Sequence, residues 1–304
     1  DYDIDNQLVT AIGINKDLLK YYDKIPLTTS ENTKLERARN LYMTSMQSLG
    51  AETENIFLTT PIHDVAKNLR AGELKPVYKT AIVAYFNAIR AGQGLSTVTA
   101  NTAAFTQAQA MAVLQSYRWH QEGESITHMP SKPAGVSQSF YNTAIGYGQV
   151  SLAENIAMSN NLEPSTYAMM KYIRQFLDDS SETPFRLGHR TSLLIPSNSN
   201  IGYGIAKSIG VMEIGHDQSN AQGIEMVAWP SANGITLLET LDNSYFRWSA
   251  KFYKNYQITT STNVEVKCIQ TGETWSWDTI QNGDGYRYFN RVIKAESELE
   301  NMII

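Results

Sequence analysis

YKTAIVAYFNAIRAG, residues 78–92, is the stretch that decides the fold class. Tyr78, Ala81, Ile82, Tyr85, Phe86 and Ile89 recur at i, i+3, i+4, i+7, i+8 and i+11, which lays one apolar stripe along a helix before Gly92 stops it. A stripe that wide needs a partner surface. Two further helices are expected to contribute. Residues 101–119 set Ala104, Ala108, Met111 and Ala112 on a small-residue face that lets another element approach closely. Residues 164–178 turn Met169, Met170, Ile173, Phe176 and Leu177 inward. Strand-like runs at 201–207 and 223–229 complete a core that mixes helix and strand.

Working outward, residues 1–77 read as an N-terminal extension carrying one helix at 33–49, where Leu35, Ala38, Tyr42, Met46 and Leu49 share a face and Thr33 with Glu36 has the spacing of a capping box. Pro61, Gly72 and Pro76 mark residues 58–76 as the connection into a main domain at 78–230. Residues 231–304 read as a small all-β module. There Val264, Val266 and Cys268 alternate with Glu265 and Lys267, Thr271-Gly272 supplies a turn, and residues 274–278 return as the second strand of a hairpin. Residues 286–293 alternate in the same way.

The bulk properties narrow the partners. A chain of 304 residues with 42% hydrophobic and 10% aromatic content can bury a substantial core. A net charge of −5 with no run of Lys or Arg argues against a nucleic-acid partner. No apolar stretch nears the roughly 20 residues that span a bilayer. The single cysteine, Cys268, excludes an intrachain disulfide and any Cys-x-x-Cys metal or redox motif. A start at Asp1-Tyr2-Asp3 without an initiator Met reads as a mature or trimmed product. There is no Asn-x-Ser/Thr sequon, which argues against a glycosylated eukaryotic secreted protein. Nucleophile elbows, His-Glu-x-x-His and phosphate-binding loops are missing, and Gly202-Tyr203-Gly204 reads as a closely packed strand rather than a dinucleotide fingerprint. Trp229, Trp248, Trp275 and Trp277 read as core rather than as a glycan platform.

Five short segments carry a resemblance. They are Phe86-Asn87-Ala88-Ile89-Arg90 with Gly94-Leu95; Gln107-Ala108-Gln109-Ala110; Thr127-His128-Met129-Pro130; Ala153-Glu154-Asn155-Ile156-Ala157; and Gly188-His189-Arg190 followed by Leu193-Leu194 and Ile201-Gly202-Tyr203-Gly204. In this order they resemble a bacterial branch of the CAP family, the group of cysteine-rich secretory proteins, antigen 5 and pathogenesis-related 1 proteins. The resemblance covers about half the chain. Val227-Ala228-Trp229-Pro230 and Arg247-Trp248-Ser249 resemble the edge of a β module that follows some bacterial members.

The resemblance implies an α+β fold, a CAP-type three-layer α-β-α sandwich, flanked by the helical extension and the small β module. It also implies a cleft into which His128, Glu154 and His189 converge, with a divalent metal such as Zn²⁺ held by His128 and His189 in some members. No cofactor is certain from it. The family's fourth cleft position falls on Gln175, with Asp178 or Asp179 one turn further on; an amide does not titrate, which weakens a two-carboxylate acid/base mechanism. Bland readings stand beside these. Glu154 could cap a following helix, Arg190 could close an internal salt bridge, and either histidine could be a structural loop anchor. His63, His120 and His216 read as surface or edge residues. The functional expectation is a secreted or cell-surface protein that binds a protein, lipid or small-molecule ligand through this cleft, with Glu154 as its candidate catalytic group. A metal-assisted hydrolase using His128, His189 and Glu154, and a structural spacer of a surface protein, are the alternatives.

Overall fold

The computed structural model describes residues 28–49, 55–146, 152–160, 162–179, 187–221 and 223–231, and shorter stretches from there to 290. Residues 1–27, Cys268 and the side chains of Trp248, Trp275 and Trp277 lie outside the described residues.

Helix α1 (Thr29–Leu49) starts about a turn before the sequence suggests, because its capping box is Thr28 with Glu31 rather than Thr33 with Glu36. The Thr28 hydroxyl accepts from the Glu31 N–H at 3.2 Å, and the Glu31 carboxylate accepts from the Thr28 N–H at 2.7 Å. Two otherwise orphaned donors are thereby satisfied. Ala38 and Tyr42 are buried, and the Tyr42 ring lies 6.3 Å from that of Tyr85 on α2 (Pro76–Gly92). The N-terminal helix therefore belongs to the central core. Before α2, the segment expected to be a plain connection contains a short antiparallel pair, β1 (Phe57–Thr59) with β2 (Glu73–Leu74).

From Tyr78 onward α2 follows the stripe read from the sequence, and two polar side chains on it are buried as well. Asn87 donates to the Val98 carbonyl at 2.8 Å and accepts from the Val98 N–H at 2.7 Å, fixing the turn that leaves the helix. Arg90 donates through Nε to the Ser96 carbonyl and through Nη1 to the carbonyls of Leu193 and Ile195, which ties α2 to the end of α6 (Gly188–Leu194).

The central sheet runs β3-β5-β6-β4, with β3 (Thr99–Ala100) parallel to β5 (Asn198–Ala206) and the other pairs antiparallel. β6 (Ile209–His216) is a strand that the sequence pattern does not announce, and β4 (Ala153–Met158) holds the Glu154-Asn155 pair. Helix α3 (Thr102–Tyr117), capped by Asn101, packs on one face of the sheet. The approach is so close that a Cβ at Gly202 would fall 2.0 Å from the Ala104 carbonyl carbon and one at Gly204 2.3 Å from that of Ala108. Only glycine on the strand facing alanine on the helix permits it. Helix α5 (Thr166–Asp178), capped by Ser165, covers the other face, where a Cβ at Gly210 would meet the Tyr172 ring at 2.5 Å and the Tyr203 hydroxyl donates to the Met169 carbonyl. A short helix α4 (Gln138–Ala144) packs against α3.

A second sheet, β11-β12-β8-β7, contains β7 (Met226–Trp229), β8 (Arg247–Phe252), β11 (Ile280–Asn282) and β12 (Tyr286–Asn290). It therefore crosses the boundary expected at 230, taking its first strand from the main domain, and the buried Trp229 joins it to the central core. The expected hairpin is present as β9 (Val264–Lys267) with β10 (Thr274–Trp277), in the register Val264 to Trp277. The chain is thus a mixed α+β fold with several small sheets. Among the described residues no helix is long and apolar enough to cross a membrane.

Candidate functional site

The loop after α3 is pinned from two directions. Gln115, buried on α3, donates to the Thr127 carbonyl; Arg118 donates to the Ser131 carbonyl at 2.8 Å; and the Tyr141 hydroxyl of α4 donates to the Pro130 carbonyl at 2.8 Å. His128 and Met129 sit between these anchors and stay exposed. The His128 side chain is 59% exposed, and its Nδ1 lies 2.9 Å from Oε1 of Glu154, whose side chain is only 12% exposed. Glu154 lies within β4 and no helix starts there, so its capping role is replaced by this contact.

One strand further in, Glu154 stands directly opposite Glu213 of β6. Cross-strand partners in an antiparallel pair have Cβ atoms about 5 Å apart and share a face. On this face Ile156 and Val211 pack under α3, so Glu213 is taken fully out of water at 0% exposure. Burial, and secondarily the Glu154 carboxylate, push the Glu213 carboxyl up to about 8, while the Gln107 side chain of α3 offsets part of that rise. Glu213 is absent from the residues that the sequence points to. A signal for it exists: it is the only charged residue in the run Ile209–Ile214, and a lone acid in an apolar strand is an expensive choice unless it stays neutral or gains a partner.

His189 lies in the other layer. Its Nδ1 is 2.8 Å from Oδ1 of Asp179, and its ring packs 5.4 Å from that of Phe176 on α5. Asp179 caps α5 in the left-handed conformation at φ 52° and also accepts from the Arg190 N–H at 3.3 Å. Arg190 is buried and directed inward, donating to the carbonyls of Leu177 and Asp178 and to the Ser249 hydroxyl at 3.0 Å. Asn155, whose side chain takes the face of β4 opposite Glu154, donates to Ser192 of α6 at 3.1 Å. Gln175 is partly buried on α5, and its Oε1 has no hydrogen-bond partner among the described residues.

Each expected cleft histidine is thus matched to its own carboxylate. Among the described residues no group of three His, Cys, Asp or Glu side chains is placed to hold one metal ion. His63, expected at the surface, is half-buried; burial, then Lys207 and His120, hold its imidazole down to about 4. His120 contacts the Ser208 hydroxyl at 3.0 Å, and His216 ends β6 in an exposed position. Compared with protein-family models and with curated proteins, the chain matches none.

Proposed function

We propose that this chain is a CAP-type, secreted or cell-surface module that binds a ligand through the face formed by His128 and Glu154. The observation that carries the reading is a loop held by Gln115, Arg118 and Tyr141 that keeps an exposed imidazole on a partly buried carboxylate. Preorganisation of this kind lowers the ordering cost of binding. The finer fold assignment, a CAP-type α-β-α sandwich, draws support from the sheet's cover of α3 on one face and α5 on the other. Two measurements test the reading. Protein expressed with its native flanking sequence should be found in the medium or be removed from intact cells by added protease; recovery only after lysis would refute export. Titration of the full chain with fatty acid, cholesterol and short peptides should move the His128 ring resonances for one of them, and His128→Ala should abolish that binding.

Hydrolysis is a second reading, and Glu213 favours it. Where Gln175 withholds a second carboxylate, β6 supplies one beside Glu154. Two neighbouring carboxyls held in different protonation states are the usual furnishing of acid/base chemistry. If a general peptide substrate is cleaved, Glu154→Gln should abolish the cleavage; activity that survives would end this reading.

A further inference from the structure

Glu154 and Glu213 face each other across one register position, and as carboxylates both are acceptors only. The fully buried Glu213 carboxyl meets the neutral Gln107 amide of α3 as well as Glu154. Among the described residues the other surroundings offer no cation. Across β5 the register partner is Gly202, from α3 comes the neutral Gln107, and His128 lies beyond Glu154. Two buried like charges in this position would repel, with only a neutral amide to offset them. One proton removes the conflict, because a protonated Glu213 donates O–H to the Glu154 carboxylate.

We propose that Glu213 is the positioning residue of the His128 site: it shares one proton with Glu154, which stays a carboxylate and holds the Nδ1–H tautomer of His128. The ring then carries its lone pair on Nε2. A site so prepared takes a ligand that offers a hydrogen-bond donor, such as a hydroxyl or an ammonium group, and disfavours an anion. The inference about ligand class rests on the binding face proposed above; the shared proton does not. Ionisation of Glu213 places a second negative charge behind Glu154, so the imidazole reports it. The rise of the Glu213 carboxyl to about 8 sets where that report should come.

The test is a pH titration of the full chain, without ligand, followed by NMR of the His128 ring. In wild type the ring ¹⁵N shifts should show the Nδ1–H tautomer at neutral pH, and the titration should have an upper step near pH 8 in addition to the imidazole's own. Glu213→Gln, which keeps shape and an N–H donor toward Glu154, should lose only the upper step. A single step in both proteins, or the Nε2–H tautomer in wild type, overturns the proposal. Should Glu213→Gln fail to fold, Glu154→Gln decides: with the neighbouring charge gone, the Glu213 carboxyl should titrate about one unit or more lower by ¹³C NMR. An unchanged Glu213 titration also overturns it. A ligand panel that leaves the His128 ring unmoved would end the binding reading while the upper step remained.

Discussion

His128 meets Glu154 at 2.9 Å and His189 meets Asp179 at 2.8 Å, yet the two pairs do different work. In the first, the imidazole is 59% exposed at the tip of a braced loop and its carboxylate leans on a buried acid. In the second, the imidazole is 18% exposed, its carboxylate is fully buried, and the same carboxylate takes the Arg190 N–H at the joint between α5 and α6. Each is an imidazole on a carboxylate at hydrogen-bonding distance. What separates a joint from a site is the number of internal donors converging on the carboxylate and the access of the ring to solvent.

The largest loss is expected at the joint. Asp179→Ala removes the acceptor of two N–H groups, and each buried donor left unpaired costs about 1–3 kcal/mol. Urea unfolding should report a loss of roughly 3 kcal/mol, with added strain from an alanine in the left-handed region; a loss below about 1 kcal/mol would contradict the structural assignment.

A smaller, pH-dependent effect is expected at the site. Because Glu213 is raised from an ordinary 4.5 to about 8, its stabilising share is complete below 4.5 and is lost as pH climbs through 8. Wild type should therefore lose stability relative to Glu213→Gln across that window, with a slope approaching ~1 kcal/mol per pH unit. Parallel denaturation curves at pH 5 and pH 8 check this, and equal differences at both would refute it.

At His63 the pH dependence has the opposite sign. Its imidazole falls from 6.5 to about 4, so its contribution is present above 6.5 and lost as pH falls toward 4. His63→Gln should flatten the acid side of the stability profile and leave the alkaline side unchanged. The smallest effect belongs to His128→Ala, an exposed change expected to alter stability by no more than about 0.5 kcal/mol. A loss as large as that of Asp179→Ala would mean that both pairs are joints.

Much of this architecture is legible in the amino-acid order. The stripe from Tyr78 to Ile89, the alanine face of α3 and the glycines at 202 and 204 are local patterns with fixed geometric meaning, and they mark the surfaces where a helix and a strand can lie hard together. The alternation at 264–267 and its return at 274–277 likewise specify a hairpin. The cap of α1 is ambiguous in sequence because Thr33 with Glu36 and Thr28 with Glu31 have the same spacing, and only the fold selects between them. Strand β6 escapes the sequence pattern because Ile209–Ile214 is buried on both faces, as a strand between two helical layers is, and so shows no polar/apolar alternation. With that strand goes Glu213. The amino-acid order marks the apolar faces of α2, α3 and α5 and singles out His128, Glu154 and His189 as candidates. Tertiary structure decided the pairings, since a cross-strand register sets Glu154 against Glu213 and a helix joint takes His189 to Asp179, through contacts between chain segments that local periodicity does not encode.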